Sequence, residues 1–134
     1  MIAFIVGFIS HLLVDMIPHG DSRLSDNFRV HKVKRKQAVT YSAIDAIVAI
    51  FFILLLANTK DIVSMRTFTW GIIGAVLPDL IVGLYDLTKS PLLKWFSKVH
   101  FFFHDFIVIR RGDIPLKYAI VGQVVFILLI TSKL

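Results

Sequence analysis

The 134-residue sequence contains no cysteine and no glutamate. The absence of cysteine excludes disulfide bonds and every zinc site built on thiolates. All nine acidic residues are aspartates, so a metal site would draw its side-chain ligands from aspartate and from the five histidines. Long internal repeats, low-complexity runs and shifts in composition that would mark a boundary are also absent. The sequence therefore predicts a single domain over residues 1–134.

Hydrophobic residues make up 57% of the chain and the mean hydropathy is +0.79. Soluble domains are usually about 45–50% apolar, so this composition indicates an integral membrane protein. The net charge is +6, and the basic residues flank apolar runs. We therefore expect anionic lipid headgroups at the basic loops as partners, and no nucleic acid.

The N-terminus has neither the basic region nor the cleavage site of a signal peptide. Since Met1 already lies in an apolar run, we expect either a short first helix or a natural start upstream of Met1. Four hydrophobic segments are predicted to span the membrane: 1–17, 41–57, 68–85 and 114–130.

A fifth helix is predicted over 92–109, where Ser90-Pro91 has the composition of a helix start. It is amphipathic, so we expect it to lie at the membrane interface. The predicted fold is thus all-α, an integral membrane helical bundle of about four transmembrane helices plus one interfacial amphipathic helix.

The distribution of Lys and Arg predicts the orientation of this bundle. The first connection, 23–37, holds six of them, and the corner at 89–117 holds six more on the same side, against three on the other side. Positively charged loops face the cytoplasm. We therefore expect a multi-pass protein of the cell (inner) membrane.

Polar residues within the apolar segments are the candidates for function, because ionisable groups in hydrocarbon are costly. His11 and Asp15 stand four residues apart and share one helix face. Asp79 follows Pro78, where a kink is expected to open the helix. His100 and His104 have the spacing that lets two imidazoles reach one ion. Each feature also has a structural alternative, namely a helix-packing pair, a hydrated proline kink or an aromatic interfacial helix.

By depth, these residues fall in one layer towards the cytoplasmic face, which favours a shared metal site. The predicted metal ligands are His11, Asp15, Asp79, His100 and His104. His19 is predicted as a further ligand or as a general acid/base, with Asp79 beside it in the catalytic set. The carboxylates predicted to support these ligands by hydrogen bonds are Asp21, Asp45 and Asp86.

A histidine and aspartate ligand set suits a divalent ion with N and O ligands, zinc first and manganese second. Such an ion activates water and binds phosphoryl oxygens. At headgroup depth, the expected reaction is hydrolysis of a phosphoester of a lipid or lipid-linked molecule. The alternative is a non-catalytic small membrane protein with a structural, metal-binding or proton-binding layer. The sequence leaves open which of the two applies.

Three short motifs resemble those of a known family. They are Ser10-His11-Leu12-Leu13-Val14-Asp15, Gly74-Ala75-Val76-Leu77-Pro78-Asp79 and the pair His100/His104. They are similar to elements of the LexA-binding inner-membrane hydrolases, membrane-bound metal-dependent enzymes distantly similar to zinc-dependent phospholipase C. The resemblance implies metal ligation by His11, Asp15 and Asp79, with His100 and His104 as weaker matches.

The chain departs from that family at identifiable positions. Ile81 stands where the second Asp of the Pro-Asp-x-Asp element is expected, and Phe101-Phe102 replaces an Arg-Gly pair. The two histidines are four residues apart rather than five, and the Ser-His-x-x-x-Asp element comes first rather than last. Pro18-His19 is similar to a Pro-x-His element of zinc-dependent phospholipase C.

Overall fold

The computed structural model describes residues 1–20, 35–59, 62 and 64–133. Over these residues the chain forms five α-helices and no β-strand. In chain order they are α1 (Ile2–Val14), α2 (Arg35–Thr59), α3 (Met65–Thr88), α4 (Pro91–Arg111) and α5 (Leu116–Lys133). The predicted all-α class is confirmed. Asp21 and most of the basic connection, 23–34, lie outside the described residues.

The first helix is shorter than the apolar run that predicted it. It ends at Val14 with Asp15 as its C-cap, although the apolar run continues to Ile17. Pro18 has no N–H to donate to the Val14 carbonyl, so the next helical hydrogen bond cannot form. The Ile17 N–H donates to that carbonyl instead, at 3.0 Å, in a tighter turn.

The connection between α3 and α4 is only two residues long. Lys89 ends α3 in the left-handed region with φ 52°, and its N–H donates to the Tyr85 carbonyl. Ser90 is the N-cap of α4 and Pro91 its first residue, as the sequence predicts. Inside α3, Pro78 is fully buried and the helix continues through it.

Glycines allow α1 and α3 to pack backbone against backbone. A Cβ on Gly7 would collide with the Gly71 carbonyl, and one on Gly74 would collide with the Phe4 carbonyl. The small residues of α3 thus permit close contact between the two helix backbones. The two helices run parallel, since Phe4 contacts Trp70 near their N-termini and His11 lies against Asp79 two turns further along.

The contacts divide the chain into two compact units. The first comprises Met1–Pro18 and Val63–Asp113, and so contains α1, α3 and α4. The second comprises His19–Ile62 and Ile114–Leu134, with α2 and α5. In the second unit, Gly20 has φ +83° and its α-carbon lies against the Leu116 backbone, where a side chain would not fit.

The interior of the first unit combines apolar residues, among them Pro78, Val82 and Phe96, with polar ones. Among the described residues, its buried polar side chains are those of Ser97, His100 and His104, while many large apolar side chains are exposed. One helix of the described part, α3, is long and apolar enough by itself to cross a membrane. Two shorter apolar helical stretches are Ile2–Val14 and Ala46–Asn58.

Candidate metal centre

The first helix contributes His11 and Asp15 to the site. They lie one turn apart at the C-terminal end of α1, and the Asp15 N–H donates to the His11 carbonyl at 2.9 Å. Their side chains are mostly covered, with 15% of His11 and 18% of Asp15 exposed. The backbone of Ala75 in α3 lies beside the His11 ring. The shared face predicted from their spacing is therefore turned towards the packed interior of the unit.

The third helix contributes Asp79, immediately after the buried Pro78. Its Oδ1 atom lies 3.4 Å from Nε2 of His11. Asp79 differs from the other members of the site because 66% of its side-chain surface is exposed. The site is therefore accessible from the side of α3.

The fourth helix contributes a buried row of Ser97, His100 and His104, which follow the spacing of one helix face. His100 is 4% exposed. Its Nε2 atom lies 3.2 Å from Asp79 Oδ1, 3.4 Å from Asp15 Oδ2 and 3.4 Å from His11 Nε2. His100 is thus the one residue in contact with all three other members of the cluster.

The separations match those between the ligands of a tetrahedral ion. His11 Nε2, His100 Nε2 and Asp79 Oδ1 form a triangle with edges of 3.2–3.4 Å. Zinc–nitrogen and zinc–oxygen bonds of about 2.0–2.1 Å give tetrahedral ligand–ligand distances of about 3.3–3.4 Å. His11, Asp15 and His100 also offer ligand atoms that all lie within 4.8 Å of one another. The cluster is therefore geometrically able to hold a metal ion.

The hydrogen-bonding state of the cluster agrees with this interpretation. Within the described residues, Asp15 Oδ2 and His100 Nδ1 are buried without a hydrogen-bond partner. A buried carboxylate oxygen without a donor is costly unless a cation balances it. Two Nε2 atoms 3.4 Å apart, with carboxylate oxygens beside them, also suit a shared cation better than mutual hydrogen bonds alone.

His104 has a different environment from His100. Its Nδ1 atom lies 2.8 Å from Oδ1 of the adjacent Asp105, and its ring stacks on that of His100 at 6.3 Å. One of its ring nitrogens lies within 4.8 Å of an Asp15 oxygen. Sequence reasoning missed the role of Asp105, which orients the His104 ring. Its position next to a buried histidine was the available signal.

The remaining predicted site residues are not part of this cluster of four. His19 is half-buried and belongs to the second unit. Asp86 accepts a hydrogen bond from Lys89 Nζ at 2.8 Å, near the end of α3. Asp45 lies in α2, but its side chain, like the whole of Asp21, falls outside the described part of the chain.

Fold and site together define an all-helical protein with one candidate membrane span and a His/Asp cluster able to hold a metal ion. No protein-family description, curated protein or solved structure matches this chain.

Proposed function

We propose that this protein is a membrane-embedded, metal-dependent hydrolase that cleaves a phosphoester of a lipid or lipid-linked molecule. The observation that carries the proposal is the triangle of His11 Nε2, His100 Nε2 and Asp79 Oδ1, with edges of 3.2–3.4 Å. Two imidazoles and a carboxylate suit zinc best, with manganese as the second choice.

The distribution of apolar surface supports the membrane location. Exposed apolar side chains on α1 and α3 include those of Ile2, Val6, Leu80 and Leu87, which are 59–80% exposed, whereas His100 and His104 are buried. Such surface is unfavourable in water and favourable in hydrocarbon. The parallel course of α1 and α3 also suits a chain that crosses the membrane once between them. Four spans with α4 at the cytoplasmic interface form part of the proposal.

All four residues of the cluster are assigned to the binding of one ion. His11, His100 and Asp79 would hold the ion, with Asp15 as the adjoining carboxylate. When bound, a divalent ion there would activate water and polarise a phosphoryl oxygen. The exposed side of Asp79 would admit the phosphoester.

The resemblance to LexA-binding inner-membrane hydrolases supports the reaction class. The motif residues His11, Asp15 and Asp79, which that family implies as ligands, are three of the four residues in the cluster. The fourth, His100, belongs to the weaker histidine element. We therefore propose phosphoester hydrolysis in preference to other reactions of a bound divalent ion.

A second candidate is a non-catalytic metal-binding membrane protein. It is favoured by Asp15 Oδ2, which lies 3.4 Å from His100 Nε2 and would bring the number of protein ligands to four. Structural zinc sites have four protein ligands, whereas catalytic sites keep one position open. Ile81, at the place of a carboxylate in the similar family, also agrees with this candidate.

Product release from lipid vesicles distinguishes the two candidates. Metal-loaded protein would be incubated with vesicles of mixed phospholipids, and phosphate-containing products would be measured. We expect products with the wild-type chain and with Asp86→Ala, and none with His100→Ala. A protein that retains its ion but releases no product from any lipid class would be the non-catalytic binding protein.

A further inference from the structure

We propose that the exposed face of α3 beside Asp79 binds the hydrocarbon chain of the substrate. The phosphoester would then enter the site sideways from the lipid phase, with its apolar chain lying along the helix. This inference rests on the proposed function, because it names the part of the chain that selects the substrate of the same site.

The first observation is the uneven burial of the cluster. His100, His11 and Asp15 are 4%, 15% and 18% exposed, whereas Asp79 is 66% exposed. Within the described residues, Asp79 is therefore the most open side of the cluster for an approaching substrate group. The surface around Asp79 decides which molecules can do so.

The second observation is that this surface is apolar along about four turns of helix. Val76 and Gly83 stand one turn before and one turn after Asp79, on the same side of α3. Exposed side chains continue the face in both directions: Ile73, Val76, Leu80, Leu84 and Leu87, at 42%, 39%, 62%, 50% and 74%. Asp79 lies at the margin of this face and is its one charged neighbour between Ile73 and Tyr85.

The third observation is the free space at Gly83. A Cβ built on Gly83 meets no atom within 4 Å, and the residue is exposed. The glycine is therefore not required for helix packing, unlike Gly7 and Gly74. Its missing side chain leaves the helix surface open one turn from the Asp79 carboxylate.

These features fit an amphiphilic phosphoester better than a water-soluble one. The hydrocarbon chain of a lipid phosphoester can stay in the apolar phase along Ile73, Leu80 and Leu84, while the attached phosphate reaches the cation-binding cluster. A small polar phosphoester gains nothing from this face. The occupant of the face is therefore the chain of a long-chain phosphoester.

The chain lacks cysteine, so Gly83→Cys creates a single thiol on the face. Gly122→Cys is the matched control, since Gly122 is an exposed helical glycine in α5 that also has no atom within 4 Å. Labelling by a maleimide would be timed in dodecyl maltoside micelles with zinc-loaded protein. The added probes are dodecyl phosphate and inorganic phosphate.

We expect dodecyl phosphate to slow labelling of Gly83→Cys several-fold and to leave Gly122→Cys unchanged. Inorganic phosphate should protect neither thiol. Unchanged labelling of Gly83→Cys in metal-loaded protein would overturn the inference and leave the proposed function intact. Protection of both thiols would also overturn the inference, because it would be an effect of the micelle. Protection that increases with protein concentration, without any added phosphate, would overturn it as well, because a second copy of the chain would then cover the face.

Failure of the proposed function has a separate signature. The proposed function fails if the purified protein takes up no metal, whatever the labelling result. Protection of Gly83→Cys alone in that protein would still support the chain-binding face.

In an active protein, Gly83→Trp should reduce hydrolysis of a long-chain phosphoester more than that of a short water-soluble one. The control variant Gly122→Trp should change neither rate. Equal losses on both substrates with Gly83→Trp would contradict the inference.

Discussion

Oδ1 of Asp79 lies 3.2 Å from Nε2 of His100, although the residues belong to different helices. Asp79 precedes the last residue of α3 by nine positions, and His100 follows the first residue of α4 by nine. The two-residue connection Lys89-Ser90 thus joins two helical segments of equal length, one from Asp79 to the end of α3 and one from the start of α4 to His100. Asp79 and His100 therefore meet at the cluster. The short turn and the packing of α1 on α3 together position the candidate ligands.

Close packing of α1 on α3 predicts opposite effects for two glycine substitutions in one helix. Gly74→Ala places a methyl group against the Phe4 backbone, and such overpacking costs about 1–3 kcal/mol. Gly83→Ala meets nothing and should gain about 0.5–1 kcal/mol of helix propensity. Thermal unfolding in detergent should therefore show a lower Tm for Gly74→Ala only. Equal Tm values for the two variants would contradict this packing.

Much of the fold follows from residue patterns. The apolar runs predict the presence of the helices, and the pair Ser90-Pro91 predicts the start of α4. Spacing also predicts that His11 and Asp15 share a face. These features are local, because they depend on hydrogen bonds and side-chain directions within one helix.

Long-range features could not be predicted in the same way. Spacing predicts that His100 and His104 share a face, but it does not predict where each ring nitrogen points. The structure places His100 Nε2 in the cluster and His104 Nδ1 against Asp105. Side-chain rotamers and neighbouring helices decide this difference. The exposure of Asp79 likewise depends on how α1 and α4 cover α3.

The contact between His104 and Asp105 predicts a specific loss of stability. Asp105→Ala removes the carboxylate 2.8 Å from Nδ1 of a buried imidazole, at a cost of about 1–3 kcal/mol. The matched substitution Asp86→Ala breaks the exposed contact with Lys89 and should cost less than about 1 kcal/mol. Unfolding in detergent measures both. A larger loss for Asp86→Ala would be inconsistent with the burial of His104.

Binding of an ion by two imidazoles predicts a steep dependence on pH. Protons compete with the ion for the imidazole nitrogens, so the affinity for the ion falls as the pH decreases. An ion held by two imidazoles should show a steeper fall than an ion held by one, because each neutral ring competes with a proton for the same lone pair. Zinc titrations between neutral and mildly acidic pH measure this slope. If His104→Gln makes the dependence of the logarithm of zinc affinity on pH less steep by one proton per ion, His104 is a third ligand.

The membrane course of α3 can be tested with single cysteines, because the chain contains none. Met65→Cys and Lys89→Cys place a thiol near each end of α3, at exposed positions. In oriented membrane vesicles, a membrane-impermeant maleimide should label Lys89→Cys from the cytoplasmic side and Met65→Cys from the opposite side. Labelling of both from one side would exclude α3 as a span.

The central claim is that His11, Asp79 and His100 hold one metal ion. Its most direct test is elemental analysis of detergent-purified protein after supplementation with zinc and manganese. We predict about one ion per chain in the wild type and in Asp86→Ala, and loss of that ion in His11→Ala and in Asp79→Ala. No bound ion in the wild type, with both variants folded like the wild type, would contradict the claim and leave a polar layer that only packs helices.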